Sequence, residues 1–225
     1  MNIQELSPYV EPLARGMLER RVIKIGVPTT LKTGVESSVY VNTIELIGYP
    51  DLFHQAIEAY YSKIYTNTMS SRLVGDKTDG QRVRNHLAAV PDTGLPFAAA
   101  LAFRIGDMPL LQRRKVPKAH GVSKTIEGGY SPGDEVVLVE GVLTSGGSAI
   151  AEAAIYETEG LKARGVLALV DRQQGGRENL HKKEMGLAAV MTLAGILKYG
   201  LDERIAGITQ TRYDELIAEL NPANL

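Results

Sequence analysis

The chain has 225 residues, of which 44% are hydrophobic and 23% charged, enough for one sizeable domain with a proper core. Lys plus Arg total 25 and Asp plus Glu total 26, so the net charge is −1, which argues against a general nucleic-acid binder. The absence of cysteine excludes disulfides, thiolate catalysis and cysteine-ligated zinc. Residues 1–16 lack the apolar segment of a signal peptide, and no apolar run approaches the ~18 residues of a membrane span. We therefore expect a cytoplasmic protein with no membrane partner.

The first third of the chain predicts a mixture of helix and strand. Residues 3–20 have the pattern of an amphipathic helix with a proline near its start. Two short β-prone runs follow at 22–25 and 38–42, and residues 51–65 place apolar residues at helical spacing. The polar segment 66–85 is predicted to be a loop.

From residue 87 onward, short apolar runs alternate with helical segments. The predicted strands are 87–91, 109–112, 136–140, 165–171 and 187–192, and the predicted helices are 95–104, 147–159 and 177–185. Continuous apolar strands that alternate with helices indicate an α/β fold whose parallel sheet is buried on both faces. Ligands bind beyond the carboxyl ends of such strands, so the loops that follow the strands are the candidate site.

The loop after the strand VVLVE is rich in glycine and hydroxyl side chains. It contains Thr144, Ser145, Gly146, Gly147 and Ser148, and a helical segment follows at once. Glycines let several backbone N–H groups point into one concavity, and a helix N-terminus adds positive partial charge. These features favour a monophosphate site. A tight turn in which Ser148 caps the helix is an equally good interpretation of the loop alone.

The segment RRKVPKAHG (113–121) concentrates cationic groups: Arg113, Arg114, Lys115, Lys118 and His120. Such groups repel one another unless an anion neutralises them, and a pyrophosphate is a natural partner. His120 could donate a proton to a leaving oxygen near neutral pH. The alternative is a solvated basic loop without a ligand.

The sequence VVLVEGVLTSGGSA resembles the fingerprint of the type I phosphoribosyltransferases, in which four apolar residues precede two acids and a phosphate loop. The resemblance implies that fold, with Thr144–Ser148 on the 5′-phosphate of phosphoribosyl pyrophosphate (PRPP) and Glu140 on its ribose hydroxyls. The second acidic position is Gly141, which departs from the family pattern.

The basic segment resembles the catalytic loop RKxxKxHG of orotate phosphoribosyltransferases. The matching residues are Arg114, Lys115, Lys118, His120 and Gly121, whereas Val116 and Ala119 replace the acids that the family usually has there. The resemblance implies that these cations bind PRPP, that Lys118 is the main catalytic residue, and that a loop over 115–130 closes as a lid.

Three further stretches match the same family in order and spacing. TLKTG supplies Lys32 near the base, and the following SSVYVN places Tyr40 and Val41 beside it; a surface-turn lysine is the alternative for Lys32. In DRQQGG, Arg172 would contact orotate, since an Arg at a strand end can grip a carboxylate through two N–H bonds. A structural Asp171–Arg172 pair is the alternative there.

The turn VPDTG presents Asp92, Thr93 and Gly94 to pyrophosphate if the resemblance holds, and otherwise caps a helix. The family also implies Thr144 near the base, Mg²⁺ without a direct protein ligand, and a homodimer. It implies an N-terminal helix and hood over 1–45 and a core over 46–225. The stretch KTIEG (124–128) resembles the orotate phosphoribosyltransferase part of UMP synthases.

The resemblance implies that orotate and PRPP react to give orotidine 5′-monophosphate and pyrophosphate in pyrimidine biosynthesis. Two alternatives stay open. A non-catalytic nucleotide-binding or regulatory protein would explain Gly141, Val116 and Ala119, and a transferase of the same fold could act on another base.

Overall fold

A computed structural model describes residues 8–30, 34, 36–66, 85–114 and 125–220. In these ranges the strands are β1 Ile23–Thr30, β2 Glu36–Val41, β3 Asn85–Ala89, β4 Leu110–Arg113, β5 Ile126–Glu127, β6 Glu135–Leu143, β7 Lys162–Asp171 and β8 Gly186–Thr192. The helices are α1 Val10–Glu19, α2 Pro50–Thr66, α3 Leu95–Ile105, α4 Gly147–Thr158, α5 Gly176–His181, α6 Leu193–Asp202 and α7 Gln210–Glu219, with a 3-10 helix at Thr43–Gly48.

The central sheet has the strand order β5-β4-β3-β6-β7-β8. Strands β4, β3, β6, β7 and β8 are parallel, and β5 pairs antiparallel with β4 at the edge. In the central register Val139 of β6 lies between Ala89 of β3 and Leu167 of β7. The predicted α/β class with a mostly parallel sheet is therefore confirmed, and the carboxyl ends of the strands lie along one edge.

Helices cover both faces of the sheet because its strands are apolar on both sides. In β6, Val137 and Val139 join the core on one face, where α2, α3 and α6 pack. The alternate residues Val136 and Leu138 join a second core on the opposite face, which contains buried residues of α4. Because β6 is buried on both faces, its residues VVLV are all apolar instead of alternating with polar residues.

The amino-terminal part adds α1 and an antiparallel pair, β1 with β2. Buried residues of α1, Leu13 and Met17 among them, share the core that contains α2. The ladder between β1 and β2 shifts register between Ile25 and Thr29. A division of the chain at residue 45 stays a prediction. None of the helices in the described ranges is long and apolar enough to cross a membrane.

Several predicted boundaries need correction. Helix α1 begins at Val10 rather than residue 3, and residues 1–7 lie outside the described ranges. Helix α5 ends at His181 rather than 185, because Glu184 adopts the left-handed conformation with φ 58°. Most of the predicted loop 66–85 also lies outside the description, while its first and last residues belong to α2 and β3.

Two helices after β8 were not predicted from the sequence. Both begin after a threonine whose hydroxyl caps the helix: Thr192 Oγ1 accepts from Gly195 N at 3.1 Å, and Thr209 Oγ1 accepts from Arg212 N at 3.3 Å. Threonine is a favoured N-cap residue, so these two positions carried the missed signal.

Candidate active site

A cavity of about 360 Å³ opens where β6 and β7 end. It brings together predicted site residues from four separate parts of the chain: Tyr40, Val41, Thr93, Glu140, Thr144, Ser145, Gly146, Gly147, Ser148 and Arg172. The parallel sheet explains this convergence, since strands that run in one direction deliver their following loops to a single edge.

The loop Thr144–Ser148 ends on the amino terminus of α4. Gly146 is the N-cap in the left-handed conformation, with φ 79°, and no side chain in the described ranges caps the helix. The first helical bond runs from Ile150 N to Gly146 O at 2.9 Å. The preceding amides, those of Gly147, Ser148 and Ala149, therefore have no partner within the helix and lie at its positive end. The alternative in which Ser148 caps the helix is wrong, because Ser148 lies inside the first turn.

Helix α5 supports this loop from the side. Asn179 Nδ2 donates to Ser145 O at 3.0 Å. A Cβ atom at Gly176 would lie 2.5 Å from Thr144 O and 2.9 Å from a side-chain carbon of Leu143. Only glycine lets α5 approach so closely, which explains the second glycine of DRQQGG.

Glu140 is held in the cavity wall by two hydroxyl groups. Thr93 Oγ1 donates to Glu140 Oε1 at 3.1 Å, and Tyr60 OH donates to Glu140 O at 2.6 Å. Burial, and next the charge of Glu140, raise the pKa of Tyr60 well above its ordinary value, so the phenol stays a donor. The carboxyl group and backbone of Glu140 are thus fixed before any ligand binds.

Arg172 lies at the end of β7 and is only 2% exposed. Its Nε donates to Gln174 Oε1 at 2.9 Å, its Nη1 to Val39 O at 2.9 Å and its Nη2 to Ser37 Oγ at 3.0 Å. Burial lowers the pKa of Arg172 to about 10, while the charge of Glu219 opposes that shift. All three acceptors are neutral, so the guanidinium is a buried cation that remains charged at neutral pH and faces a cavity.

The suggested structural pairing of Asp171 with Arg172 is wrong. Asp171 Oδ1 accepts from Gln173 N at 2.8 Å, and its Oδ2 lies 3.8 Å from Arg177 Nη2. Burial raises the pKa of Asp171, and the Gln173 amide and Arg177 partly offset this rise. Arg172 is positioned by β2 and Gln174 instead.

Tyr40 and Val41 line the cavity from the end of β2. Val41 also belongs to the core, with 8% of its surface exposed, whereas Tyr40 is half-buried. The Lys24 ammonium lies 5.8 Å from the centre of the Tyr40 ring. The Tyr40 ring thus contacts a cation and also lines the cavity, where it could contact a planar ligand.

A second cavity of about 330 Å³ shares Pro91 with the first and contains Asp92 and Arg114. The Arg114 side chain pairs with Glu127, and Arg113 Nε donates to both carboxylate oxygens of Glu152 at 2.9 Å. From the sequence we expected an external anion to neutralise the cations of residues 113–121. That expectation is wrong for Arg113 and Arg114. Protein carboxylates already pair with both.

Gly94 lines neither of these cavities. Its N–H donates to Val90 O at 3.0 Å within the turn, and a Cβ atom would overlap Val139 O and lie 2.8 Å from Val90 O. The packing of the turn against β6 therefore requires a glycine at this position. Its amide is not available to a ligand in this conformation.

Four predicted site residues, Lys32, Lys115, Lys118 and His120, lie outside the described residues. Of the described residues that flank 115–124, Arg114 N donates to Thr125 O at 2.9 Å, and Arg114 lines the second cavity.

Sequence reasoning missed three residues that shape the site. Ser37 provides an acceptor for Arg172, Asn179 bonds the loop Thr144–Ser148, and Thr43 lines the cavity next to Gly141. Ser37 belongs to the stretch SSVYVN, which already drew attention. The other two carry no pattern in the sequence, because their partners are far away along the chain.

Comparison with known proteins gives a consistent set of relatives. No protein-family model matches the chain. The chain is 35% identical over 174 residues to an orotate phosphoribosyltransferase of Pyrococcus furiosus, covering 77% of this chain and 87% of that protein. It is 32% identical over 185 residues to the uridine 5′-monophosphate synthase of Bos taurus, covering 82% of this chain but 35% of the synthase. It thus spans about a third of that longer relative.

Among solved structures, the crystal structure of orotate phosphoribosyltransferase from Aeropyrum pernix superposes with a TM-score of 0.65 at 27% identity. The match covers 83% of this chain and 97% of the Aeropyrum chain. The type I phosphoribosyltransferase fold expected from the loop fingerprint is thereby confirmed.

Proposed function

The chain belongs to the orotate phosphoribosyltransferase family, and we propose that it converts orotate and PRPP into orotidine 5′-monophosphate and pyrophosphate. This reaction supplies the nucleotide from which UMP is made. The single observation that carries the proposal is the cavity at the end of β6 and β7, which is lined by both the amino terminus of α4 and a buried arginine.

The amino terminus of α4 suits the 5′-phosphate of PRPP. The unused amides at the start of α4 and the hydroxyls of Thr144, Ser145 and Ser148 can donate to phosphate oxygens. Asn179 and Gly176 hold the loop in this shape, so little ordering is needed when the ligand arrives. Glu140 would accept hydrogen bonds from the ribose hydroxyls of the same ligand.

The buried guanidinium of Arg172 suits the carboxylate of orotate. An anion in the cavity would compensate the burial that lowers the pKa of Arg172. Tyr40 and Val41 would contact the base, with Thr144 and Lys32 nearby. Hypoxanthine and adenine lack a carboxylate, so Arg172 favours an acidic pyrimidine over these bases.

Chemistry would proceed at the anomeric carbon between these two sites. A ring nitrogen of orotate forms a bond to that carbon, the bond to the pyrophosphate oxygen breaks, and pyrophosphate leaves with the electron pair while the nitrogen loses its proton. Cations placed beforehand at the leaving group should provide most of the catalysis. We assign this role to Lys118, with Arg114, Lys115 and His120 as further donors and with Asp92 and Thr93 in the adjoining turn.

Mg²⁺ is proposed as the cofactor, carried by PRPP rather than by a protein cage. The described ranges contain no cluster of three or more acidic or histidine side chains suited to a metal ion. In phosphate sites Mg²⁺ keeps several of its water molecules, and Glu140 and Asp92, which line the two adjoining cavities, could accept hydrogen bonds from those waters without binding the ion directly. When bound, the ion would neutralise charge on the pyrophosphate.

We also propose that the protein works as a homodimer in which the basic loop reaches the partner subunit. The predicted bounds 115–130 of that loop need correction, because Ile126–Glu127 form strand β5 of the central sheet and Ile126 is buried. Phe103 on α3 supports an interface, since 89% of this large apolar side chain is exposed in the single chain. Light scattering on the purified protein tests this directly, and a mass of one chain would contradict it.

A steady-state assay of orotate loss in the presence of PRPP and Mg²⁺ tests the function. We expect turnover with orotate and none with hypoxanthine or adenine. PRPP binding without turnover would support the non-catalytic alternative, and preferential use of a purine would reassign the base.

A further inference from the structure

Thr43 presents a buried hydroxyl group that has no hydrogen-bond partner among the described residues. The residue is 1% exposed, and its Oγ1 is enclosed without a donor or acceptor. It belongs to the 3-10 helix Thr43–Gly48 and lines the same cavity as Glu140 and the phosphate loop. A buried polar group without a partner costs free energy, so one beside a ligand cavity calls for an explanation.

The hydroxyl occupies the space that a side chain at position 141 would need. A Cβ atom built on Gly141 would overlap Thr43 Oγ1 and would lie 3.4 Å from Thr43 Cβ and 3.6 Å from Thr93 Cβ. Gly141 and Thr43 are therefore complementary in shape. The glycine does not leave a void where the family has its second acid, because a hydroxyl from another part of the chain fills the place.

The neighbourhood of Thr43 joins this hydroxyl to the acid that remains. Thr93 bonds the Glu140 carboxylate at 3.1 Å and also stands beside Gly141. A hydroxyl can both donate and accept, as the hydroxyls of a sugar do. A neutral sugar hydroxyl is thus a suitable partner for Thr43 Oγ1, whereas a phosphate would find stronger donors at the start of α4.

We propose that Thr43 is a substrate-binding residue whose hydroxyl bonds a ribose hydroxyl of PRPP in place of the missing second acid. The inference rests on the proposed function, because it takes PRPP as the ligand. An aspartate introduced at position 141 should therefore collide with Thr43.

The first experiment separates ligand binding from folding. Thr43→Val keeps the shape but removes the hydroxyl, and Thr43→Ser is the matched control that keeps it. Calorimetric titration with PRPP and Mg²⁺ should show a Kd about five- to tenfold higher for the valine variant. The serine variant should remain within about twofold of wild type.

Thermal unfolding of the free protein distinguishes ligand binding from a purely structural role. If Thr43 served only to stabilise the fold, the valine variant would have a lower Tm than wild type. Valine removes an unsatisfied oxygen, so its Tm should equal or exceed that of wild type. A valine variant that binds PRPP like wild type would overturn the inference while leaving the proposed function intact. If wild type itself does not bind PRPP, the inference falls together with the proposed function.

A second experiment tests the complementarity of the pair. Gly141→Asp alone should lower the Tm, and combining it with Thr43→Ala should recover most of that loss. Equal losses with and without Thr43→Ala would show that the two positions are independent and would contradict the packing on which the inference depends.

Discussion

Arg172 Nη2 donates a hydrogen bond to Ser37 Oγ at 3.0 Å, which ties the end of β7 to β2 across 135 positions of the chain. The same β2 strand also contacts α7, where Glu219 Oε2 accepts from Ser38 N at 2.8 Å. The orientation of the guanidinium therefore depends on a strand that lies outside the central sheet.

Ser37→Ala should raise the KM for orotate about fivefold and leave the KM for PRPP within about twofold. The reason is that Arg172 loses one of three acceptors, each worth about 1 kcal/mol. Ser38→Ala is the matched control, because the contact of Ser38 with Glu219 uses the backbone N–H. Steady-state kinetics on both variants checks this, and equal changes in the two would contradict it.

Gly94→Ala should lower the Tm by about 5–10 °C, since overpacking costs roughly 1–3 kcal/mol and a domain of this size loses about 2–4 °C per kcal/mol. The added Cβ meets the backbone carbonyls of Val139 and Val90, which cannot turn away as side chains do. Gly48→Ala is the control, because a Cβ there meets nothing within 4 Å. Circular dichroism melts should show a loss for the first variant only.

Lys118→Ala should lower kcat by at least about 100-fold, the usual effect of removing one donor that stabilises transition-state charge. The Tm should stay within about 1 °C of wild type. Lys182→Ala, at an exposed position, removes the same charge from the surface and should leave kcat unchanged. Near-normal turnover of the Lys118 variant would show that another group stabilises the leaving pyrophosphate.

Asp171→Asn should raise the Tm at pH 7, because the asparagine amide avoids the cost of burying an ionised carboxylate. Burial raises the pKa of Asp171 above its ordinary 3.8, so the folded state binds this proton more tightly than the unfolded chain. This tighter proton binding stabilises the folded state fully below pH 3.8. The stabilisation is lost as the pH rises through the raised pKa of Asp171. Asparagine cannot lose a proton there and keeps the acceptor for Gln173 N.

Melting curves recorded across that pH range provide the check on Asp171. The wild-type Tm should fall relative to that of the asparagine variant as the pH rises from about 4. Parallel curves for the two proteins would mean that the folded and unfolded chains bind this proton equally well.

The sequence predicted those parts of the fold and site that depend on local pattern. The apolar run of β6 indicated a strand buried on both faces, and Gly146 marked the turn into α4. Both are properties of neighbouring residues. The comparison of this loop with a family fingerprint also indicated the fold.

Contacts between distant residues could not be predicted. The acceptors of Arg172 come from β2, the carboxylate that pairs with Arg113 comes from α4, and Thr43 reaches Gly141 from a separate 3-10 helix. No spacing rule connects these positions, because they meet only after the sheet has formed. The position of Thr43 beside Gly141 was missed for this reason.

A crystal structure of the protein with orotidine 5′-monophosphate would test whether one cavity holds both ends of the product. We expect phosphate oxygens within about 3 Å of the amides of Gly147 and Ser148, and the base carboxylate in contact with Arg172. A phosphate bound away from residues 144–148, or a base turned away from Arg172, would contradict the proposed site.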